Sequence, residues 1–571
     1  MKVKDRSLNK SSVEGDNWFP ALLVISLLAL VIFGMISLHR PPPPANSAAL
    51  TEFSYERALA HLRQFATEPH PVNSAAHDRV RDYLMDQLRQ QGLQPELQTA
   101  EVLSQKFNPE TGEAVGKVRV QNIIAELKGT NPGNKAVMLA AHYDSVPQSP
   151  GASDDGAGVA TLLETLSAVR AGGGLKNDLV LLFTDGEELG LVGAQAFANE
   201  NPLAKKVGVV LNFEARGSCG PVFMFETSEI NGDLIKEFAR SVPHPFANSM
   251  MFSLYQTLPN NTDMTMFRRV GLKGLNFAYI GCVNNYHSPS DNLNTIDSAS
   301  LQHMGSYALA LTRGFGSSSL ELAGGESIYF DLFGKRLITY SQKWVLPLGL
   351  LTILLVGAAI GFGIKTGGLT IRGIGWGALG FLASLIASNI VLSLLSLLVP
   401  SDERGNSASA GSFALCFAVV LFAITLAVYI FLSRRTDVVN LSAGALLWWV
   451  LILIGSILTL NGASYLFTWP TLLGIVPLLI LLVSKHRDVH PLVQVLGIAV
   501  VTLPCVALLT WTTLGIVQGL GFRMPVLFAT LIVLMSGLLV PFLEFRPNWR
   551  TSLFQTKKQE RIVFNKARLH Q

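Results

Sequence analysis

The stretch Leu181–Gly190, LLFTDGEELG, begins apolar and then places three carboxylates, Asp185, Glu187 and Glu188, within four residues. A short apolar run ended by an acid and a glycine reads as a strand buried on both faces, as in a parallel sheet. Like charges this close repel, and removing them from water costs several kcal/mol, by order of magnitude, unless a cation or hydrogen bonds compensate. Either these side chains point to water or something positive is held among them.

Outward from that run, VRVQNIIAEL (118–127), KAVMLAAH (135–142), DLVLLFT (178–184), VGVVLNF (207–213), PVFMFE (221–226) and GLNFAYI (274–280) read as strands. GVATLLETLSAVRA (158–171) and DRVRDYLMDQLRQQG (78–92) carry helical periodicity. Buried strands alternating with helices predict an α/β fold, a mixed, mostly parallel sheet covered by helices on both faces. Ligands of such sheets bind beyond the carboxyl ends of the strands. At those ends stand His142 and Asp144, then Glu187 and Glu188, then Glu214, while two loops add Asp154 with Asp155 and Tyr286 with His287.

Taken singly, each feature has an ordinary explanation. A His at a strand end is commonly a hydrogen-bonded structural residue, paired Asp before a helix suits an N-cap, and paired Glu after a strand suits a solvated turn. Two His and at least three carboxylates converging on one edge of one sheet match the nitrogen and oxygen donors that zinc takes.

In their order, His-x-Asp (142–144), Gly-x-x-Asp-Asp (151–155), Glu-Glu (187–188), Asn-x-Glu (212–214) and Tyr-His (286–287), these motifs resemble the di-zinc exopeptidases. That family includes the secreted bacterial aminopeptidases, glutamate carboxypeptidase and the endoplasmic-reticulum membrane metallopeptidase. The resemblance covers residues 50–325 and implies the zinc-exopeptidase type of fold with two zinc ions. It implies that Asp154 bridges both ions, one also held by His142 and Glu214, the other by Glu188 and His287. Glu187 would then be the general base, Asp144 the partner that orients His142, and the Asp154–Asp155 peptide cis. Secreted aminopeptidases usually carry Asp where this chain has Glu214, whereas the membrane branch carries Glu. Arg216 is a substrate-carboxylate candidate or a structural ion-pair partner, Tyr286 an oxyanion donor or a packing residue, and Asp263 a structural residue near the site. Cys219 and Cys282 both follow strands near the site, and their pairing is not readable from sequence.

The rest of the chain is of another kind. Hydrophobic residues make up 49% of its 571 residues and charged ones only 15%, against roughly a quarter in soluble proteins. A net charge of +4 argues against nucleic acid as a partner. Residues 18–38 carry no charge and are long enough to cross a bilayer, longer than the apolar core of a cleaved signal peptide. Seven further spans are expected near 344–364, 374–399, 411–432, 441–460, 465–483, 491–513 and 524–545. Basic residues mark alternate connectors: Lys365 and Arg372, Arg434 and Arg435, Lys485 and Arg487, with Arg404 and Arg523 as exceptions. The positive-inside rule then gives a cytoplasmic tail (1–17), an anchor (18–38), a Pro-rich linker (39–50), an outward-facing zinc peptidase domain (51–325), an all-α polytopic domain of seven spans (344–545) and a basic cytoplasmic tail (546–571). The compact length favours a bacterial inner membrane facing the periplasm over an endoplasmic-reticulum membrane and lumen.

The expected function is a membrane-anchored zinc metallopeptidase, an aminopeptidase that hydrolyses peptides outside the cytoplasm. The alternatives are an inactive peptidase-fold scaffold, which would have lost ligands, a carboxypeptidase, and a one-zinc glutaminyl cyclase, which would lack the second set of carboxylates. A transporter would bury ionisable groups in mid-membrane, and none stands well inside these spans.

Overall fold

The structure is a computed structural model that describes residues 19–44, 48–104, 106, 116–131, 133–399, 407–521 and 524–545. The two tails, residues 45–47 of the linker, Arg404 and Arg523 lie outside the described residues.

The globular part is built on seven strands: β1 (Glu96–Leu103), β2 (Lys117–Leu127), β3 (Ala136–His142), β4 (Leu179–Thr184), β5 (Val207–Ala215), β6 (Cys219–Thr227) and β7 (Gly274–Gly281). Their order across the sheet is β1-β2-β4-β3-β5-β7-β6. The central four, β4, β3, β5 and β7, are mutually parallel, and β2 and β6 run against their neighbours. The fold is therefore mixed α/β, with every residue of β3 and β4 buried. β1 escapes the sequence reading because ELQTAEVL is an edge strand that buries only Ala100 and Val102 and so lacks an apolar run.

Helices α2 (Tyr55–Phe65), α3 (Ala75–Gln90), α4 (Gly156–Ala171), α5 (Val192–Glu200), α6 (Gly232–Ser241), α7 (Ser249–Tyr255), α8 (Asp263–Arg269) and α9 (Ser298–Ser317) cover the sheet. Most of α4 is buried, including Leu162, Leu163 and Leu166, so its apolar residues wrap the helix rather than forming one stripe. Asp155 caps α4 by accepting the Gly158 amide at 3.2 Å.

A hairpin, β8 (Ser327–Leu332) and β9 (Arg336–Ser341), leads out of this domain. One long apolar helix, α1 (Phe19–Leu38), precedes the domain. Seven follow it: α10 (Val345–Lys365), α11 (Ile371–Ser396), α12 (Ser407–Leu432), α13 (Val438–Thr459), α14 (Ser464–Ser484), α15 (Pro491–Leu520) and α16 (Pro525–Leu539). Among the described residues, eight helices are long and apolar enough to cross a membrane. α15 runs seven residues past the end expected at 513, because the Gly, Thr and Gln of TTLGIVQGL dilute its hydropathy without breaking the helix.

The two parts are packed together. Trp511 of α15 donates its indole N–H to Asp331 Oδ2 at 2.7 Å and stacks on Phe246 at 5.3 Å between centroids. Phe330 of β8 stacks on Tyr465 of α14 at 4.6 Å, and Ser249 donates to the Gly462 carbonyl at 2.7 Å. At the opposite end of the bundle, Lys485 reaches both Asp437 and the Gly368 carbonyl, which draws the three basic connectors to one side.

Candidate metal centre

β3, β4 and β5 are parallel neighbours, so their carboxyl ends bring His142, the Asp185–Glu188 turn and Glu214 to one edge. The β3–α4 loop adds Asp154, and the segment after β7 adds His287. Among the described residues, three donor groups have atoms mutually within 4.8 Å: His142 with Asp154 and Glu214, Asp154 with Glu188 and His287, and His142 with Glu187 and Glu188. The first two share Asp154 and are the sets that the resemblance implies. The third makes Glu187 an eligible ligand on geometry alone.

The His142 Nδ1 lies 3.0 Å from the Asp144 carbonyl, which can only accept, so Nδ1 carries a proton and Nε2 is the nitrogen turned to the cluster. Nε2 is within hydrogen-bond distance of Asp154 Oδ1, at 3.2 Å, and lies 3.8 Å from Glu214 Oε2. His287 Nε2 lies 3.1 Å from Asp154 Oδ2 and 2.8 Å from Glu188 Oε1. Despite these distances, His287 Nε2 and Asp154 Oδ2 are buried without a well-directed hydrogen bond. Two buried donor atoms that stand this close without bonding one another are arranged for a cation.

The electrostatics agree. Burial, and then the neighbouring Glu188, push Glu187 well above the usual carboxylate range, and burial with nearby carboxylates does the same to Glu214. Burial alone would lower the His287 imidazole, yet Asp154 and Glu188 push it up to about 10. Burial likewise opposes the charge on His142, and Asp144, Asp154 and Glu214 raise it well above the ordinary value. The cluster holds more negative charge than its surroundings can solvate, and its nitrogen and oxygen donors suit zinc.

The supporting residues differ in part from the sequence reading. The Asp144 carboxylate, 3.5 Å from His142 Nδ1, accepts three successive amides: Gly186 at 2.9 Å, Glu187 at 3.1 Å and Glu188 at 3.2 Å. It therefore holds the turn that carries both glutamates, and its backbone carbonyl is what orients the imidazole. Gly186 takes φ +73, and a Cβ there would come within 2.6 Å of Val192, so the turn requires glycine. The Asp154–Asp155 peptide is cis, and Asp155 accepts the His142 amide at 3.2 Å. Asn212 donates to Glu214 Oε1 at 3.1 Å and to Asn276 Oδ1 at 3.0 Å, which explains the Asn-x-Glu pattern. Asp263 is fully buried and accepts the Thr184 hydroxyl.

Two supporting residues were missed. Asp291 accepts the amides of Ser153 at 2.8 Å and Asp154 at 3.0 Å, which fixes the loop at the shared ligand. His77 of α3 reaches Asp185 Oδ1 at 2.8 Å and stacks on Tyr143 at 4.6 Å. The Asp in NNYHSPSDN was the available signal for Asp291, whereas His77, in the first turn of α3, gave none.

Beside the cluster lies a cavity of about 580 Å³ that Asp154, Glu187, Glu214, Arg216 and Tyr286 help to line. Arg216 is half-buried and makes no ion pair among the described residues. Tyr286 stacks on His287 at 3.8 Å between centroids. A disulfide joins Cys219 to Cys282, which ties the start of β6 to the end of β7.

With that geometry in hand, residues 122–312 match the profile of Peptidase family M28, and the resemblance to metallopeptidases is borne out over that segment. The vacuolar membrane protease of Eremothecium gossypii is 30% identical over 318 residues, 51% of this chain and 30% of that protein. Endoplasmic reticulum metallopeptidase 1 of Rattus norvegicus is 28% identical over 341 residues, 56% of this chain and 38% of that protein. The chain thus spans about a third of the length of these relatives. Among solved structures, an aminopeptidase from Aneurinibacillus sp. strain AM-1 is similar at 14% identity and TM-score 0.39, covering 48% of this chain and 97% of that one. A Porphyromonas gingivalis glutaminyl cyclase is similar at 21% identity and TM-score 0.37, covering 46% and 98%.

Proposed function

We propose that this chain is a membrane-embedded di-zinc exopeptidase that removes residues from the amino end of peptides outside the cytoplasm. The observation that carries it is the pair of donor sets, His142/Asp154/Glu214 and Asp154/Glu188/His287, joined through one aspartate with Glu187 alongside. Zinc held by these residues would polarise the scissile carbonyl and make the attacking water more acidic. Glu187, left free of ligand duty in this assignment, accepts the proton of that water and passes it to the leaving nitrogen. Asp144 fixes Glu187 through the Gly186–Glu188 amides, and Asp291 fixes Asp154. The Tyr286 hydroxyl is the candidate donor to the developing oxyanion, and the unpaired Arg216 the candidate partner for a substrate carboxylate. The anionic floor of the cavity suits a free α-amino group, which favours release from the amino end.

The outward placement rests on two features. The basic connectors gather at the end of the bundle opposite the globular domain, and the Cys219–Cys282 disulfide belongs to an oxidising compartment. The relatives named above are fungal vacuolar and rat endoplasmic-reticulum proteins, which supports an organelle lumen over the bacterial periplasm expected from length. The test is digestion of peptides with a free or an acetylated amino end by the full chain, with elemental analysis of the same preparation. About two zinc ions per chain and hydrolysis of only the free-amine peptides are expected. Full activity with one tightly held metal, or cleavage of the acetylated peptides alone, would refute the two-metal aminopeptidase reading.

A further inference from the structure

The cavity beside the metal cluster has a wall that does not come from the peptidase domain. Gly515, Ile516 and Gly519 of α15 line it together with Glu187 and Glu214. A 30-residue helix is about 45 Å long, whereas a bilayer core is about 30 Å thick, so the last turns of α15 extend beyond the span. Those turns are held one to two turns earlier by Trp511, which stacks on Phe246 of the peptidase domain at 5.3 Å, bonds Asp331 of β8 and lies 4.6 Å from the His39 ring.

The contact is close because the helix presents glycine there. A Cβ on Gly519 would stand 2.8 Å from Ile280 Cδ1, and one on Gly515 would stand 3.7 Å from the Phe223 ring. The apolar part of the cavity's lining includes Phe225, Met251, Leu254 and Ile280 together with Ile516. A side chain on residue 519 would project where Ile280 now meets the helix, at the cavity's edge. The carboxylates and most of the apolar lining therefore come from the peptidase domain, and α15 completes the apolar part.

We infer that the outer end of α15, through Ile516 and the Gly515–Gly519 face, is a specificity-determining wall of the substrate cavity that sets the size of the apolar side chain admitted. This rests on the peptidase reading of the cavity. It makes the membrane domain a component of the substrate site as well as an anchor.

The test uses the full chain in nanodiscs and two variants of opposite sign, Ile516→Ala to enlarge the cavity and Gly519→Leu to narrow it. The probes are non-hydrolysable reduced-amide peptides that begin with phenylalanine or alanine, and the readout is the ratio of their Kd values. A pocket discriminates a methylene-sized difference by about 10–200-fold. Gly519→Leu should cut the preference for phenylalanine over alanine by at least about tenfold, with the alanine probe and metal content unchanged, and Ile516→Ala should shift the ratio towards larger side chains. A wild-type ratio in both variants would overturn the inference. Hydrolysis of the matching ordinary peptides is measured in parallel. Wild-type protein that binds the probes and cleaves neither peptide refutes the peptidase reading, while the Kd ratios still decide the wall.

Discussion

The two halves of this molecule treat polar groups in opposite ways. In the globular domain, buried polar side chains reach across the fold: Asp144 to the Gly186–Glu188 turn, Asp291 to the Ser153–Asp154 loop, Asn276 to Glu226 at 2.9 Å. In the membrane bundle, hydroxyls mostly bond back to their own helix, as Thr352 does to Leu348, Ser384 to Gly380 and Thr425 to Leu421, each four residues earlier. The first pattern positions chemistry. The second satisfies each hydroxyl locally, as a lipid-embedded helix must, and leaves packing and shape as the means by which the bundle acts. The few long-range polar ties between the halves, Trp511 to Asp331 and Ser249 to Gly462, join the two regimes.

The contrast can be broken at its strongest point by substituting the shared ligand. Asp154→Asn weakens both donor sets at once, and metal-derived stabilisation amounts to several kcal/mol, so turnover should fall by about 10³-fold or more. Metal content by mass spectrometry and peptide turnover check this. Loss of a single zinc with activity near that of the unaltered protein would mean that the two sets do not share Asp154.

A smaller effect is expected one layer out. Asp144→Asn retains the side-chain shape but replaces a charged acceptor of three amides with a neutral one that also carries donors. Partners of ligating residues typically matter by about 10–100-fold in affinity or activity, so a loss of that order is expected, with the fold intact by circular dichroism. Loss confined to zinc affinity would place Asp144's role at His142. Loss of turnover with zinc retained would place it at Glu187.

The smallest effect probes the junction. Trp511→Phe keeps an aromatic ring against Phe246 but removes one donor from the buried Asp331, a change of about 1–3 kcal/mol. Burial pushes the Asp331 carboxyl up to about 7, against the pull of its hydrogen-bond donors. The thermal midpoint of the full chain should fall modestly. An unchanged midpoint would show that the aromatic packing around Trp511 suffices to dock the domain.

The contrast also explains what the sequence made legible. His142, Glu187, Glu188 and Glu214 stand where apolar strands end, so periodicity brought them to one edge, while the parts given to them and to Asp154 and His287, which stand in loops, came from the resemblance of the ordered motifs. Asp291 and His77 act only after folding, on partners 137 and 108 residues away. No local pattern encodes such a pairing. The Cys219–Cys282 bond was equally unreadable, because it depends on β6 and β7 lying side by side. The contribution of α15 was hidden more deeply. Gly515 and Gly519 lie past the end expected for the span at 513, and their place beside the cavity follows from docking rather than composition.

The central claim is that the adjacent glutamates have different jobs. Glu187→Gln is nearly isosteric and leaves His142, Asp154, Glu188, Glu214 and His287 in place. A positioned general base is worth about 10²–10⁴-fold, so turnover should fall by that order while zinc content and substrate affinity persist. Glu188→Gln should instead lose zinc from the set that includes His287, with partial rescue by excess zinc. The decisive measurement is therefore turnover and bound zinc for both variants across one zinc titration. Zinc kept and turnover lost in Glu187→Gln, with zinc lost and partly rescued in Glu188→Gln, is the predicted result. The reverse assignment of zinc loss, or near-normal turnover in both, would contradict the account.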